Sequence, residues 1–158
     1  MIRPAKFVDT PRLVQMLVEL QPRTRFAHVP VDEAYAKAVI GPLIGRNGNT
    51  TVGGTLVQVW EEESRVRGFI AGFLDRVYGI GRRLWASDQF LVVEPDADPR
   101  AMPALLAAYV TWADGNPLVE ETRLSWSDAT PDGARMGAIF ERMGFQECGR
   151  AYRREVVR

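Results

Sequence analysis

Two acidic residues, Asp88 and Glu94, are the side chains best placed to move a proton. Asp88 lies inside a strand-like run that ends in Phe90-Leu91-Val92-Val93, and Glu94 closes that run. Ionising a carboxyl among apolar neighbours costs free energy, so its pKa rises and it becomes a useful general base. Strict alternation along the strand would put Asp88, Phe90 and Val92 on one face. The plainer alternative is a solvated strand edge, or a pair with Arg82 or Arg83. The stretch that follows, Glu94-Pro95-Asp96-Ala97-Asp98-Pro99, breaks the strand. Beyond it, Met102, Leu105, Leu106, Tyr109, Val110 and Ala113 fall on one face of a helix. A strand, a turn and a helix N-terminus converging on one spot favour negative charge there, through free amides and the helix dipole. Arg100 adds a fork suited to phosphate oxygens.

Other chemistries are excluded by what is missing. One histidine (His28) and one cysteine (Cys148) cannot build a zinc site or an internal disulfide. No phosphate-loop lysine motif, Ser-His-Asp arrangement or basic nucleic-acid stripe is present. A net charge of zero gives no reason to expect nucleic acid or an acidic membrane as partner. No run approaches the roughly 20 apolar residues of a membrane span, and no secretory signal opens the chain, so a cytoplasmic location is expected. The plain readings elsewhere are a solvated His28 loop, core packing for Trp60, Trp85, Trp112 and Trp126, a packed Cys148, and a solvated turn at Glu61-Glu62-Glu63. Asp128 and Asp132, near Ser125 and Ser127, serve as loop and cap residues or touch a substrate.

These residues need elements to hold them. At 158 residues the expectation is one domain over residues 1–158. Residues 2–8 read as a short strand. A helix follows, capped at Asp9 or Thr10 with Pro11 at its first position and stopped by Pro22. A second helix runs from Asp32 to about Ile44 with Tyr35, Ala38, Val39 and Leu43 inward. Strands then come in succession: residues 56–60, residues 67–78 with Gly68 and Gly72 marking close packing or a bulge, and the central strand. The central helix stops at Asp114-Gly115-Asn116-Pro117. Residues 123–127 give another strand, and residues 134–143 a last helix ended by Gly144. Residues 145–156 read as a final strand. The order β-α-α-β-β-β-α-β-α-β predicts an α/β (α+β) fold. Its sheet is mixed and mostly antiparallel, with about six to seven strands and helices on both faces.

That order and two local patterns resemble the GNAT superfamily of acyl-CoA-dependent N-acyltransferases. LVVEPDADPRAMPALLAAYVTWA (Leu91–Ala113) looks like the superfamily's strand, pyrophosphate loop and helix. Phe140-Glu141-Arg142-Met143-Gly144-Phe145 is similar to its late Tyr-Glu-Lys-Leu-Gly-Phe-like run, and Tyr152 falls where a later aromatic is usual. The resemblance implies acetyl-CoA as acyl donor, no metal and a primary-amine acceptor, either a small molecule or a peptide. It also implies a homodimer as a frequent state. The backbone of Leu91, Val92 and Val93 would meet the pantetheine arm and polarise the acyl carbonyl. Arg100, Ala101, Met102 and Ala104 would meet the phosphates, and Phe140 and Arg142 would flank the cofactor. Asp88 or Glu94 would take the amine's proton.

The departures are as informative. With Pro95 aligned to the proline that often precedes the loop motif, the motif's basic position falls on Asp98 and its glycines on Ala101 and Pro103. Pro99 and Pro103 have no N–H to offer, and Asp98 puts negative charge where phosphate would sit. Phe140 replaces the tyrosine that protonates the departing thiolate, leaving Tyr109 and Tyr152 as candidates by chemistry only. Two functions follow: an N-acetyltransferase working by direct transfer in a ternary complex, or a catalytically inactive GNAT-like module for binding or assembly.

Overall fold

A computed structural model describes residues 1–156. Five strands form one sheet in the order β1-β2-β3-β4-β5: β1 (Ile2–Pro4), β2 (Thr55–Glu62), β3 (Arg65–Arg76), β4 (Leu84–Val93) and β5 (Val119–Arg123). The first four pair antiparallel, and β4–β5 is parallel. Helices α1 (Thr10–Leu20) and α2 (Glu33–Gly45) cover one face, meeting Val57, Val59, Phe69, Ala71 and Val92. Helices α3 (Ala101–Asp114) and α4 (Gly133–Arg142) cover the other, over Leu56, Ile70, Leu74, Leu84 and Ala86. Period-2 side-chain alternation in β2 and β3 feeds both cores, so the sheet is apolar on each side and needs a helical layer on each.

Several expectations require correction. Among the described residues the sheet has five strands, not six to seven. Residues 145–156 form no ladder: residues 146–156 are exposed, and their arginines and glutamates leave nothing to bury against a neighbour. Cys148 is accordingly exposed, not packed. The expected strand over residues 123–127 lies earlier, at Val119–Arg123. Its pairing ends where the Asp88 side chain takes the Ser125 amide. Glu61 and Glu62 belong to β2 instead of a solvated turn; Glu61 binds Arg3, and Glu62 accepts from Trp60 Nε1 at 2.7 Å. Tyr35 faces outward, and Ile40, Leu43 and Ile44 carry the buried side of α2. Trp60 is buried, yet Trp126 is 50% exposed.

The feature that positions the site is a bulge in β4. Ala71 faces Phe90 and Gly72 faces Asp88, so Gln89 is one residue too many. The expectation that Asp88 shares a face with Phe90 and Val92 is thereby corrected. Phe90 and Val92 pack toward α1 and α2, while Asp88 stays with Leu84 and Ala86 on the α3 side. Gly72, opposite Asp88, is glycine for want of room: a Cβ there would lie 2.5 Å from the Tyr109 ring.

Candidate active site

The bulge and the parallel pair β4–β5 together open a wedge. β5 reaches only Leu84–Ser87, so β4 runs on alone from Asp88 to Val93 on that side. Glu94 N donates to Arg67 O of β3 at 2.9 Å. Alternation then turns the N–H and C=O groups of Leu91 and Val93 away from β3, toward the edge that has no strand beside it among the described residues. Val92 faces β3 with its backbone, so the three residues named from sequence divide into two that reach the open edge and one that does not.

Asp88 sits at the apex of the wedge. Its Oδ1 accepts from Ser125 N at 2.9 Å and from Ser125 Oγ at 3.0 Å, which joins β4 to the chain just past β5. Oδ2 makes no side-chain hydrogen bond among the described residues. Burial pushes the Asp88 carboxyl above its ordinary range, partly offset by the Ser125 bonds. Tyr109, on α3, is fully buried and donates from its hydroxyl to Arg123 O at 2.6 Å. Burial, with the charge of Asp88 behind it, raises its pKa far out of the working range. It is thus a tie between α3 and β5 and a poor proton source.

Glu94 lies elsewhere in character. Its side chain is 11% exposed and meets Arg12, Arg65 (3.0 Å) and Arg67 (2.8 Å). Three guanidinium groups occupy its oxygens, so Glu94 serves as the shared anion of the β4–α3 junction. Arg67 also reaches Asp96 at 2.7 Å. Phe140 is buried in the core beside Phe145, and Arg142 is exposed at the end of α4. His28 is exposed in the link between α1 and α2, and Tyr152 is 91% exposed. Sequence reasoning missed Gln89, Ser125 as partner of Asp88, and the arginines on Glu94. Of the two glycines that mark close packing or a bulge, Gly68 and Gly72, the bulge lies at Gly72, and the arginines come from distant positions.

The loop before α3 is closed on itself. Ala97 N donates to Glu94 O, Asp98 N to Glu62 Oε1 (2.7 Å), and Ala101 N to Asp98 O (2.8 Å). Ala104 N donates to Arg100 O. Asp98 accepts from Arg100 N at 2.8 Å and from the Arg100 guanidinium at 2.6 to 3.1 Å. That grip holds the Asp98 carboxyl down at about 2. Ala101, Ala104 and Arg100, expected to meet phosphate, are therefore already engaged. Between residues 95 and 103 only the amides of Asp96 and Met102 lack a partner among the described residues. The residues present fit the thiol arm of CoA, along the open edge of β4, and do not fit its diphosphate.

A separate cavity of about 490 Å³ opens beside the bulge on the α2 side. Leu43, Val52 and Phe73 give it apolar walls, and Arg46, Asp75 and Gln89 give it polar ones. No group of three or more potential metal ligands occurs among the described residues. No helix among them is long and apolar enough to cross a membrane.

No family model and no curated protein matches the chain. Solved structures do. An acetyltransferase of Trypanosoma brucei superposes with a TM-score of 0.70 at 17% identity, over 99% of this chain and 99% of the other. A ribosomal-protein-alanine N-acetyltransferase from Brucella melitensis biovar Abortus 2308 gives 0.63 at 13% identity, over 100% of this chain and 99% of the other. The chain has the GNAT fold. A transcriptional regulator from Bacillus halodurans C-125 is similar as well, with a TM-score of 0.71 at 13% identity over 99% of each chain. The GNAT fold therefore does not by itself carry one activity, and the site must.

Proposed function

We propose that the chain is an N-acyltransferase of the GNAT type, moving an acyl group from a thioester to a primary amine within a ternary complex. The single observation behind this reading is the half-buried Asp88, with one oxygen unspent, at the head of a strand edge that has no neighbour. The amine nitrogen attacks the thioester carbon, and Asp88 Oδ2 takes the proton that the nitrogen sheds as the N–C bond forms. The N–H groups of Leu91 and Val93 face the side on which the carbonyl oxygen gains charge. Collapse breaks the C–S bond, and the thiolate takes its proton from water, since Phe140 has none to give. Glu94 has no part in this scheme beyond holding the β4–α3 junction. The acceptor is an amine, as it is for the ribosomal-protein-alanine enzyme of the same fold.

Thiol release from acetyl-CoA and from S-acetyl-pantetheine, followed with a panel of primary amines, tests the reading. Amine-dependent release that falls steeply in Asp88→Asn supports it; no release with any amine, and no binding of either thioester, refutes it. The second reading, a binding module without transfer, is favoured by Phe140 and by the self-satisfied loop. It predicts saturable binding of one of these thioesters or amines with no turnover.

A further inference from the structure

The β4–α3 loop supplies its own anion. In a loop built to receive a diphosphate, successive amides and a basic side chain point at an empty place. Here the Asp98 carboxylate lies on Arg100 N at 2.8 Å and on the Arg100 guanidinium at 2.6 Å, which are the contacts a phosphate oxygen would make. Three further carboxylates surround it in sequence or in space: Glu62 on the Asp98 amide, Glu94 and Asp96. The arginines nearby are matched to them, Arg12, Arg65 and Arg67 to Glu94 and Asp96, and Arg100 to Asp98. Pro99 and Pro103 remove two more donors. A doubly charged group arriving here would find every nearby arginine already paired with a carboxylate and, between residues 95 and 103, only the Asp96 and Met102 amides free among the described residues, so little draws it to the loop. The strand end is different: Leu91 and Val93 keep their open edge, which suits an amide-bearing thiol arm.

From these observations we infer that the donor is held by its thiol arm alone, so that the natural acyl donor is a pantetheine-type thioester whose nucleotide diphosphate is absent or left in solvent. This rests on the acyltransferase reading above. Asp98 then acts as a built-in occupant of the anion position, excluding the diphosphate that the fold ordinarily seats.

Calorimetric titration of the full chain with CoA, with pantetheine and with 3′-phosphoadenosine 5′-diphosphate, the half of CoA that carries the diphosphate, separates the terms. CoA and pantetheine are expected to bind within about threefold of each other, and the nucleotide diphosphate at least about a hundredfold more weakly than either. Asp98→Asn keeps an oxygen for the Arg100 amide while releasing the guanidinium. It is expected to tighten CoA and the diphosphate by about tenfold, the scale of one charge-assisted bond, and to leave pantetheine unchanged. Arg100→Ala is expected to leave wild-type CoA affinity within about twofold, because that side chain is already spent. Wild-type CoA binding more than about thirtyfold tighter than pantetheine would overturn the inference while leaving the acyltransferase reading intact. Failure of both thiols to bind the wild-type chain would remove that reading and the inference with it. A thermal melt of Asp98→Asn matching wild type confirms that the variant reports on the loop and not on unfolding.

Discussion

Asp88 and Glu94 are six positions apart in the sequence, and they keep opposite kinds of company: a serine for Asp88, three arginines for Glu94. Asp88 is desolvated with neutral partners only, so its folded pKa lies above the ordinary 3.8. Its contribution to stability is fully present below that value and is lost as pH rises through the folded pKa. Asp88→Asn removes the titration while its amide oxygen can still accept from Ser125. The variant should therefore gain stability relative to wild type as pH is raised from about 4 to 7, read as a rising difference in urea midpoint. Over the same range its turnover should fall by about 10²-fold or more. A variant equally active at neutral pH would take Asp88 out of the chemistry. Glu94→Gln should do the reverse: it leaves Arg12, Arg65 and Arg67 without their shared anion and should cost about 2–4 kcal/mol in denaturant unfolding. Turnover per folded molecule should stay near wild type. Neither outcome could be set from sequence, because the groups that decide it come from positions 12, 65, 67 and 125, far along the chain from the carboxylates they hold.

Elements were legible where periodicity and burial agree. The central strand, α3 and its stop at Asp114-Gly115-Asn116-Pro117 all appear where the residues indicate, since apolar spacing there matches a face that is buried. The expected strand after α4 fails for the opposite reason. Beyond Phe145, which packs on Phe140, residues 146–156 mix a few β-compatible side chains with arginines and glutamates and have no surface to cover, so no ladder forms. The β2–β3 hairpin shows local chemistry overruled by the fold. Glu63 and Ser64 both sit at positive φ, 48° and 65°, the geometry that a two-residue hairpin demands and that Asn-Gly satisfies best. Ser64→Gly should stabilise the protein by about 1 kcal/mol, seen as a higher melting midpoint, and Glu63→Asn should add to it. Gly72→Ala is the converse case. The new methyl meets the Tyr109 ring and Ser87 O, and the expected loss is about 1–3 kcal/mol in the same assay.

At the scale of the molecule, two apolar cores on either side of one sheet carry the structure, and residues 146–156, beyond Phe145, add little to them. Residues 146–156 touch the rest through exposed pairs, Arg153 with Asp128 and Arg25 with Glu155. Removing residues 149–158 should lower the melting midpoint by less than about 5 °C, since exposed, solvent-screened pairs contribute little to stability. A collapse of the melt would show that the tail is part of the core. The layered fold was legible as a whole from the element order. The wedge that gives it a candidate site was not, because a single surplus residue changes no pattern that spacing can register.

That surplus residue, Gln89, acts as a phase shifter. Upstream of it the even-numbered residues of β4 look toward α3, and downstream the odd-numbered ones do. Excising Gln89 would restore plain alternation: Asp88 would still look toward α3, Phe90 and Val92 toward α1 and α2, and the ladder to β3 would pass from Gly72–Asp88 to Ala71–Phe90 without a break. Both cores are kept. A chain shortened by this one exposed glutamine should therefore hold most of its stability while losing the local bend of β4, so that acyl transfer, and not the melting midpoint, is what falls.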